Sequence, residues 1–286
     1  MRTVTPRLVA VALAAPLLLS SAAAGASTPR STAAPELAEI LARSAAARGG
    51  LDAWRAVRTM VWTGHVERTG ASGPRLPFMF QQKRPHLTRF EIATDQGTSV
   101  RVFDGRQGWK QRPGAGGKPE LEPYGEPEVR AAREALVIDG PLLDAAAKGV
   151  EVTLDGVDEV DGRKAYRLAA KLPSGTVQRV WIDAETFLEV KHERPGRDAA
   201  GRPTTVAVYL RNYQRVDGLE VPFTIETGTP GGGALADRLM IERVAINVTL
   251  PARTFARAGL HTSRRGVTVD TRPEPASPRA SATTSR

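Results

Sequence analysis

The sequence has 286 residues, a formal charge of +9 and no cysteine. That length makes one large domain or two small ones, and the missing cysteine excludes disulfides, thiolate metal sites, a cysteine nucleophile and the acylated cysteine of a lipid-anchored protein. More than half of the charge comes from the ends, from Arg2 and Arg7 and from five arginines against Asp270 and Glu274 in 262–286; elsewhere Lys and Arg are interspersed with acids. A nucleic-acid footprint needs a basic stripe with stacking aromatics, so nucleic acid is not an expected partner.

Arg2 and Arg7 precede a short apolar run, Leu8 to Leu19, and Ala24-Gly25-Ala26 has the small residues of a cleavage site. Residues 1–26 therefore read as a secretory signal peptide, and the run is short for a membrane span; the alternative is an uncleaved N-terminal anchor. An exported protein is expected, periplasmic or secreted. Residues 27–34, rich in Ser, Thr, Pro and Ala, read as a disordered leader. PELAEILARSAAARGG reads as a helix, with Pro35 in its first turn, Leu37, Ile40 and Leu41 on one face and Gly49-Gly50 at its end. LDAWRAV (51–57) reads as a second, short helical piece.

The apolar period then changes from 3.6 to 2. In TMVWTGHVER, Met60, Trp62, Gly64 and Val66 alternate with Val61, Thr63, His65 and Glu67. PFMFQQKRP places Phe78 and Phe80 on one face, LTRFEI does the same with Phe90 and Ile92, and SVRVFDG with Val100 and Val102. Asp104-Gly105 reads as a hairpin pair rather than an active site, with Trp109 on the return strand as a core residue. Residues 113–125 read as a Gly- and Pro-rich loop, and 126–138 and 141–149 as helical. Strands resume with VEVTLDGV, KAYRLAAKL, TVQRVWID, FLEVKHE, TTVAVYLRNYQRV, LEVPFTIET and RLMIERVAINV. They are expected to be joined at Asp161-Gly162, Pro173-Ser174-Gly175, Asp183 to Thr186, Pro195-Gly196 and Asp217-Gly218, with Gly231-Gly232-Gly233 as a flexible loop. In LEVPFTIET the set Leu219, Val221, Phe223 and Ile225 is expected inside and Pro222 outside. About a dozen strands in one run predict a single, strongly curved antiparallel sheet, because flat open sheets of that size are uncommon. Its hollow must be occupied by the helical segments, by a ligand or by both. Residues 262–286 carry no apolar pattern and read as a disordered tail.

Signals for catalysis are weak. His65, His86, His192 and His261 show no metal-ligand spacing. No G-x-S-x-G elbow, P-loop or dinucleotide-binding glycine pattern is present. The acids of LDGVDEVDG (Asp155, Asp158, Glu159, Asp161) fit turn chemistry around two Asp-Gly pairs better than a calcium loop. No metal and no cofactor is expected.

The order ARGGLDAWRAVRTMVWTGHV, QQKRPHLTRFEI, VRVFDGRQGW, IDGPLLDAAAKGVEVTLDGVDEVDGRKAYRL, VWIDAETFLEV and NYQRVDGLEVPFTIE resembles the LolA-like superfamily of outer-membrane lipoprotein-sorting proteins, in its exported, poorly characterised branch. The resemblance covers roughly residues 35–255, through the elements D-G-x-x-G-W, W-I-D-x-x-T and Y-x-x-V-D-G-L-x-V-P. It implies a mainly β, α+β fold over 35–261, an incomplete antiparallel barrel whose open side is plugged by helices. It further implies a non-enzymatic, monomeric carrier of an acyl lipid or of lipoprotein acyl chains in the bacterial envelope, with transient membrane-protein partners. Trp62, Phe78, Phe80 and Phe90, with Leu142 and Leu143 from a plugging helix, are the candidate lining residues. The alternatives are an envelope sensor or scaffold whose core fills itself, and a hydrolase using carboxylates in the mouth.

Overall fold

The structure, a computed structural model, describes residues 35–68, 73–114, 117–135, 138–197, 202–230 and 237–257. The expected signal peptide, leader, triple-glycine loop, His261 and tail lie outside the described residues. Two helices come first, α1 (Leu37–Ala47) and α2 (Leu51–Ala56). Between them Gly49 and Gly50 take φ of 104° and 93°. A Cβ on Gly49 would stand 2.3 Å from the carbonyl oxygen of Gly218, so this turn needs glycine for its backbone conformation and for its close approach to the sheet.

Strands β1 (Thr59–Arg68), β2 (Leu76–Lys83), β3 (Leu87–Thr94), β4 (Gly97–Phe103), β5 (Gly108–Arg112) and β6 (Glu120–Pro123) form one antiparallel meander. Strands β7 (Glu151–Val160), β8 (Arg163–Lys171), β9 (Val177–Asp183), β10 (Glu189–Arg197), β11 (Pro203–Val216), β12 (Leu219–Gly228) and β13 (Asp237–Ile246) form a second. The meanders join along one seam, β1 against β13, into a single thirteen-stranded sheet with β6 and β7 at its free edges. The sheet is strongly curled and its edges do not pair, which makes it an open barrel. The seam depends on Gly64, at a register shift between β1 and β13. A Cβ there would meet the Met240 carbonyl oxygen at 1.9 Å, a close backbone approach that only glycine permits.

The two faces of the sheet are covered by different parts of the chain. On the inner face, α2 and residues 138–143 pack Trp54, Ile138 and Leu143 against Met60, Trp62, Phe78, Val221 and Phe223. Next to them, Ile40 of α1 packs against Tyr166, Leu168, Val180 and Ile182 of β8 and β9. On the outer face, the chain after β13 folds back and sets Val248, Leu250 and Phe255 over Val61, Met79, Val100 and Val102. Backbone acceptors fasten this strap: the Thr59 hydroxyl donates to Val248 O at 2.7 Å, Lys83 Nζ to Leu250 O at 3.1 Å and Arg89 to Thr254 O at 3.3 Å.

Turn chemistry explains the recurring motifs. Asp161-Gly162 and Asp217-Gly218 both have positive φ at each residue, the mirror-image turn that suits a two-residue hairpin. In W-I-D-x-x-T, the buried Asp183 accepts hydrogen bonds from the N–H of Glu185, the N–H of Thr186 and the Thr186 hydroxyl. In D-G-x-x-G-W, Asp104 Oδ1 accepts from the N–H groups of Arg106 and Gln107. Gly108 leaves room for the Tyr124 ring, which a Cβ would strike at 2.0 Å.

Several expectations need correction. Asp155-Gly156 is a bulge inside β7, with Gly156 at φ 139°, and not a turn. The expected loop 113–125 contains β6, a four-residue edge strand of mixed character. Pro195-Gly196 stays within the β10–β11 ladder. The helix expected over 126–138 is α3 (Glu126–Glu134), and 141–149 is a series of turns ending in a short 3-10 stretch, Ala146–Lys148. Pro222 alternates with Val221 and Phe223 onto the opposite face, as expected, but is buried there. Its position is tolerated because β12 pairs with β13 only over Thr224–Thr227, so no ladder bond is lost on that side.

Candidate ligand-binding site

Cross-strand register builds one continuous row on the inner face. Val244 of β13 stands opposite Trp62, Trp62 opposite Phe80, and Phe80 opposite Phe90. The row continues from Phe90 to Arg101, from Arg101 to Lys110 and from Lys110 to Glu122. Directly opposed residues share a face and touch. The row is therefore aromatic over β1 to β3 and charged over β4 to β6. Its aromatic half is contiguous: Trp62 and Phe80 meet edge-on at 5.8 Å, Phe80 and Phe90 at 5.6 Å, and Phe78 and Phe90 lie 5.7 Å apart.

A cleft of about 190 Å³ opens where the row changes character, lined by Phe90, Ile92, Ser99, Arg101, Lys110 and Arg112. Helix α3 contacts two of its lining residues through one carboxylate. Glu128 of α3 accepts from Arg101 at 2.8 Å and from Lys110 Nζ at 3.0 Å. Burial pushes the Glu128 carboxyl up, but the hydrogen bonds from Lys110, the Gly125 N–H and Arg101 outweigh it and hold the group below its ordinary value. The Tyr124 ring stacks on Phe103 at 6.5 Å and lies under the Arg101 guanidinium at 5.1 Å, and burial raises its hydroxyl pKa. A second cleft, of about 480 Å³, lies beside α3 and includes Arg106, Tyr124, Arg133 and Ser174.

Residues 138–148 plug the inner face. Buried Asp139 pairs with Arg84 at 2.7 Å and with Lys148 at 2.8 Å, and its carbonyl oxygen accepts from Arg48 at 3.1 Å. Arg84, in the turn between β2 and β3, also donates to the carbonyl oxygens of Val57 and Trp54, which ties the end of α2 and the plug to that turn. On β10, Glu189 and His192 are 2.8 Å apart, and the Glu189 carbonyl oxygen accepts from the Tyr213 hydroxyl at 2.8 Å.

Three buried polar atoms near the aromatic row have no partner among the described residues: Trp62 Nε1 and both amide atoms of Gln82. Gln82 faces Met60 and Trp62 faces Phe80, so the two are diagonal neighbours on the inner face. Orphaned buried donors and acceptors are rare and call for water or a ligand group.

Of the residues expected from the sequence, Trp62, Phe78, Phe80, Phe90 and Leu143 share one cluster. Leu142 does not join them; it faces Ile40, Leu168 and Val150 on the β7–β9 side. Trp109 is on the outer face, beneath Arg257 at 4.6 Å. Sequence reasoning missed Gln82, Arg101, Lys110, Arg112 and Glu128. For Arg101 and Lys110 the signal was register: once Phe90 is inside, the residues opposite in turn, Arg101 and then Lys110, must be inside too.

No family model and no curated protein matches the sequence. Solved structures do. A LolA superfamily protein from Nitrosomonas europaea is similar at 12% identity and a TM-score of 0.50, over 79% of this chain and 100% of that one. A DUF1329 family protein from Desulfovibrio piger is similar at 14% identity and a TM-score of 0.49, over 78% of this chain and 98% of that one. At these identities the likeness concerns the fold alone, and the similarity to the Nitrosomonas europaea protein gives this chain a LolA-like fold.

Proposed function

We propose that the protein is an exported, non-enzymatic carrier that shelters an acyl chain, of a lipid or of a lipoprotein, on the inner face of the sheet. The observation that carries this reading is the aromatic row Trp62–Phe80–Phe90, whose last two members are only half-buried and lead into a cleft. Trp62, Phe78, Phe80, Phe90 and Leu143 are its proposed lining, with Leu142 on the far side of the plug. Small-ligand pockets run to about 300–1,000 Å³, so the cleft holds one end of a chain and the rest must displace the plug. Exposing Ile138 and Leu143 costs about 3–6 kcal/mol, at about 1.5–3 each. Hiding a sixteen-carbon chain gains on the order of 12 kcal/mol, at about 0.8 per methylene. Displacing the plug also opens the buried Asp139 pairs, at about 3–5 kcal/mol, which brings the two sides close to balance.

A second reading, an envelope sensor or scaffold, is favoured by the same plug: Trp54, Ile138 and Leu143 already occupy the inner face. The hydrolase alternative has less support. Glu122 and Glu128 in the mouth are ion-paired to Lys110, and Glu189 lies beside Gly140 under the plug.

Solvent extraction and mass spectrometry of the protein purified from its export compartment separates the readings. The carrier reading expects a stoichiometric acyl lipid, lost from folded Phe80→Ala and Phe90→Ala variants. An empty protein that also refuses fluorescent fatty-acyl probes supports the sensor or scaffold.

A further inference from the structure

The mouth of the shell carries more charge than shelter for hydrocarbon requires. Arg101, Lys110 and Arg112 border a cleft floored by Phe90 and Ile92. Lys110 is drawn into it, with its side chain 13% exposed. An ammonium that is mostly out of water needs a counter-charge. Glu122 supplies one from 3.5 Å, but its side chain is itself 61% exposed. The nearer one, Glu128 at 3.0 Å, is also the carboxylate that Arg101 holds. Glu128 belongs to α3, which buries no side chain. Arg112 makes no ion pair among the described residues and has its charge free for a further anion. Arg101 and Lys110 thus hold one carboxylate on an element that buries no side chain, and Arg112 lines the same cleft without a carboxylate of its own.

We propose that this cleft takes the anionic group of an amphiphile, a carboxylate or a phosphate, on Arg101 and Lys110 in the place that Glu128 holds in this structure, with Arg112 as the further cation of the cleft. Guanidinium groups receive both kinds of anion through paired hydrogen bonds. Neighbouring strands are about 4.8 Å apart. An anion over Arg101 and Lys110 therefore sets the first methylenes on Phe90 and the next on Phe80, along the same row. The inference rests on the acyl-binding reading and narrows its cargo to anionic amphiphiles. Glu128 acts as a resident mimic of the head group, so anion binding and the docking of α3 through Glu128 exclude each other.

The test is titration of the exported protein with dodecanoate, dodecanol and inorganic phosphate, each alone, by calorimetry. Dodecanoate is expected to bind about tenfold more tightly than dodecanol, as one or two charge-assisted contacts allow. Phosphate alone is expected to bind far more weakly than dodecanoate. Lys110→Gln with Arg112→Gln should abolish the preference and leave dodecanol binding unchanged. Glu128→Gln should strengthen dodecanoate by about tenfold, by removing its competitor, without affecting dodecanol. If the double variant does not fold, Arg112→Gln and Glu128→Gln alone, both at exposed or half-exposed positions, carry the test. Equal binding of dodecanoate and dodecanol to the native protein would overturn the anionic site and leave the acyl reading standing. Phosphate binding as tightly as dodecanoate would overturn the amphiphile in favour of a free-anion site. Failure of both amphiphiles to bind would overturn both readings.

Discussion

The segment that connects the two free edges of the sheet is built in two unlike halves. Its first half, α3, buries no side chain. Polar contacts at its rim hold it: Glu128 with Arg101 and Lys110, Arg133 donating to Arg106 O, and Thr176 of the β8–β9 turn donating to Glu134. In the second half, residues 138–150, Ile138, Asp139, Leu143 and Val150 are buried, and Asp139 lies between Arg84 and Lys148. Exposed ion pairs contribute about 0–1 kcal/mol each, whereas breaking a buried pair costs about 3–5 kcal/mol. The sequence thus encodes a tethered plug and a loosely held cover on one stretch of chain. If the mouth opens, α3 is the half expected to release first.

Removing the tether should have the largest effect on stability. Asp139→Ala leaves Arg84 and Lys148 facing one another without their carboxylate. Burial already pushes the Lys148 ammonium down, with Asp139 opposing the shift. The variant is expected to lose about 3–5 kcal/mol in urea unfolding. A loss below about 1 kcal/mol would mean that apolar packing alone holds the plug. Leu143→Ala comes next, at about 2–4 kcal/mol for a buried leucine. It should also enlarge the inner space and admit fluorescent acyl probes faster than the native protein does. Unchanged probe entry would count against the plug as the barrier.

How much of this was legible depended on which layer a residue serves. Helix α1, the Asp-Gly turns at 161 and 217, and the inner aromatics of β1 to β3 follow from spacing alone, because one helix face, one turn type or one alternation settles each. Strand β4 shows where that reasoning stops. Its alternation was plain, but Val100 and Val102 face outward under Val248, Leu250 and Phe255, and a strap with no periodicity of its own leaves no mark of what it will cover. Alternation groups Val100 with Val102 and Arg101 opposite them but does not say which face is the inner one, so the charged half of the row stays hidden. Leu142 and Leu143 posed a similar problem. Adjacent residues in a turn face different clusters, which a helical reading of 141–149 does not resolve. Asp155-Gly156 carried the right turn chemistry in the wrong place, since a bulge in an edge strand uses the same positive φ.

The smallest effect on stability, and the most direct test of the cover, belongs to Glu128. Glu128→Gln should cost about 1 kcal/mol, because Glu128 and Arg101 are partly exposed and Lys110 keeps Glu122 as a counter-charge. The pH dependence has a definite sign. The Glu128 carboxyl is held below its ordinary value in the folded protein. Its contribution is therefore complete above the unfolded value of about 4.3 and is lost as pH falls through the lower, folded value. Amide exchange read peptide by peptide between pH 6 and pH 3 should show α3 losing protection in that window ahead of residues 138–148. Glu128→Gln should show the faster α3 exchange already at pH 6, with no further loss attributable to this site. Protection lost in both halves at the same pH would mean that cover and plug move as one body. Acyl cargo would then enter only by lifting Ile138 and Leu143 together with α3, and the buried Asp139 network, not the rim, would set the rate.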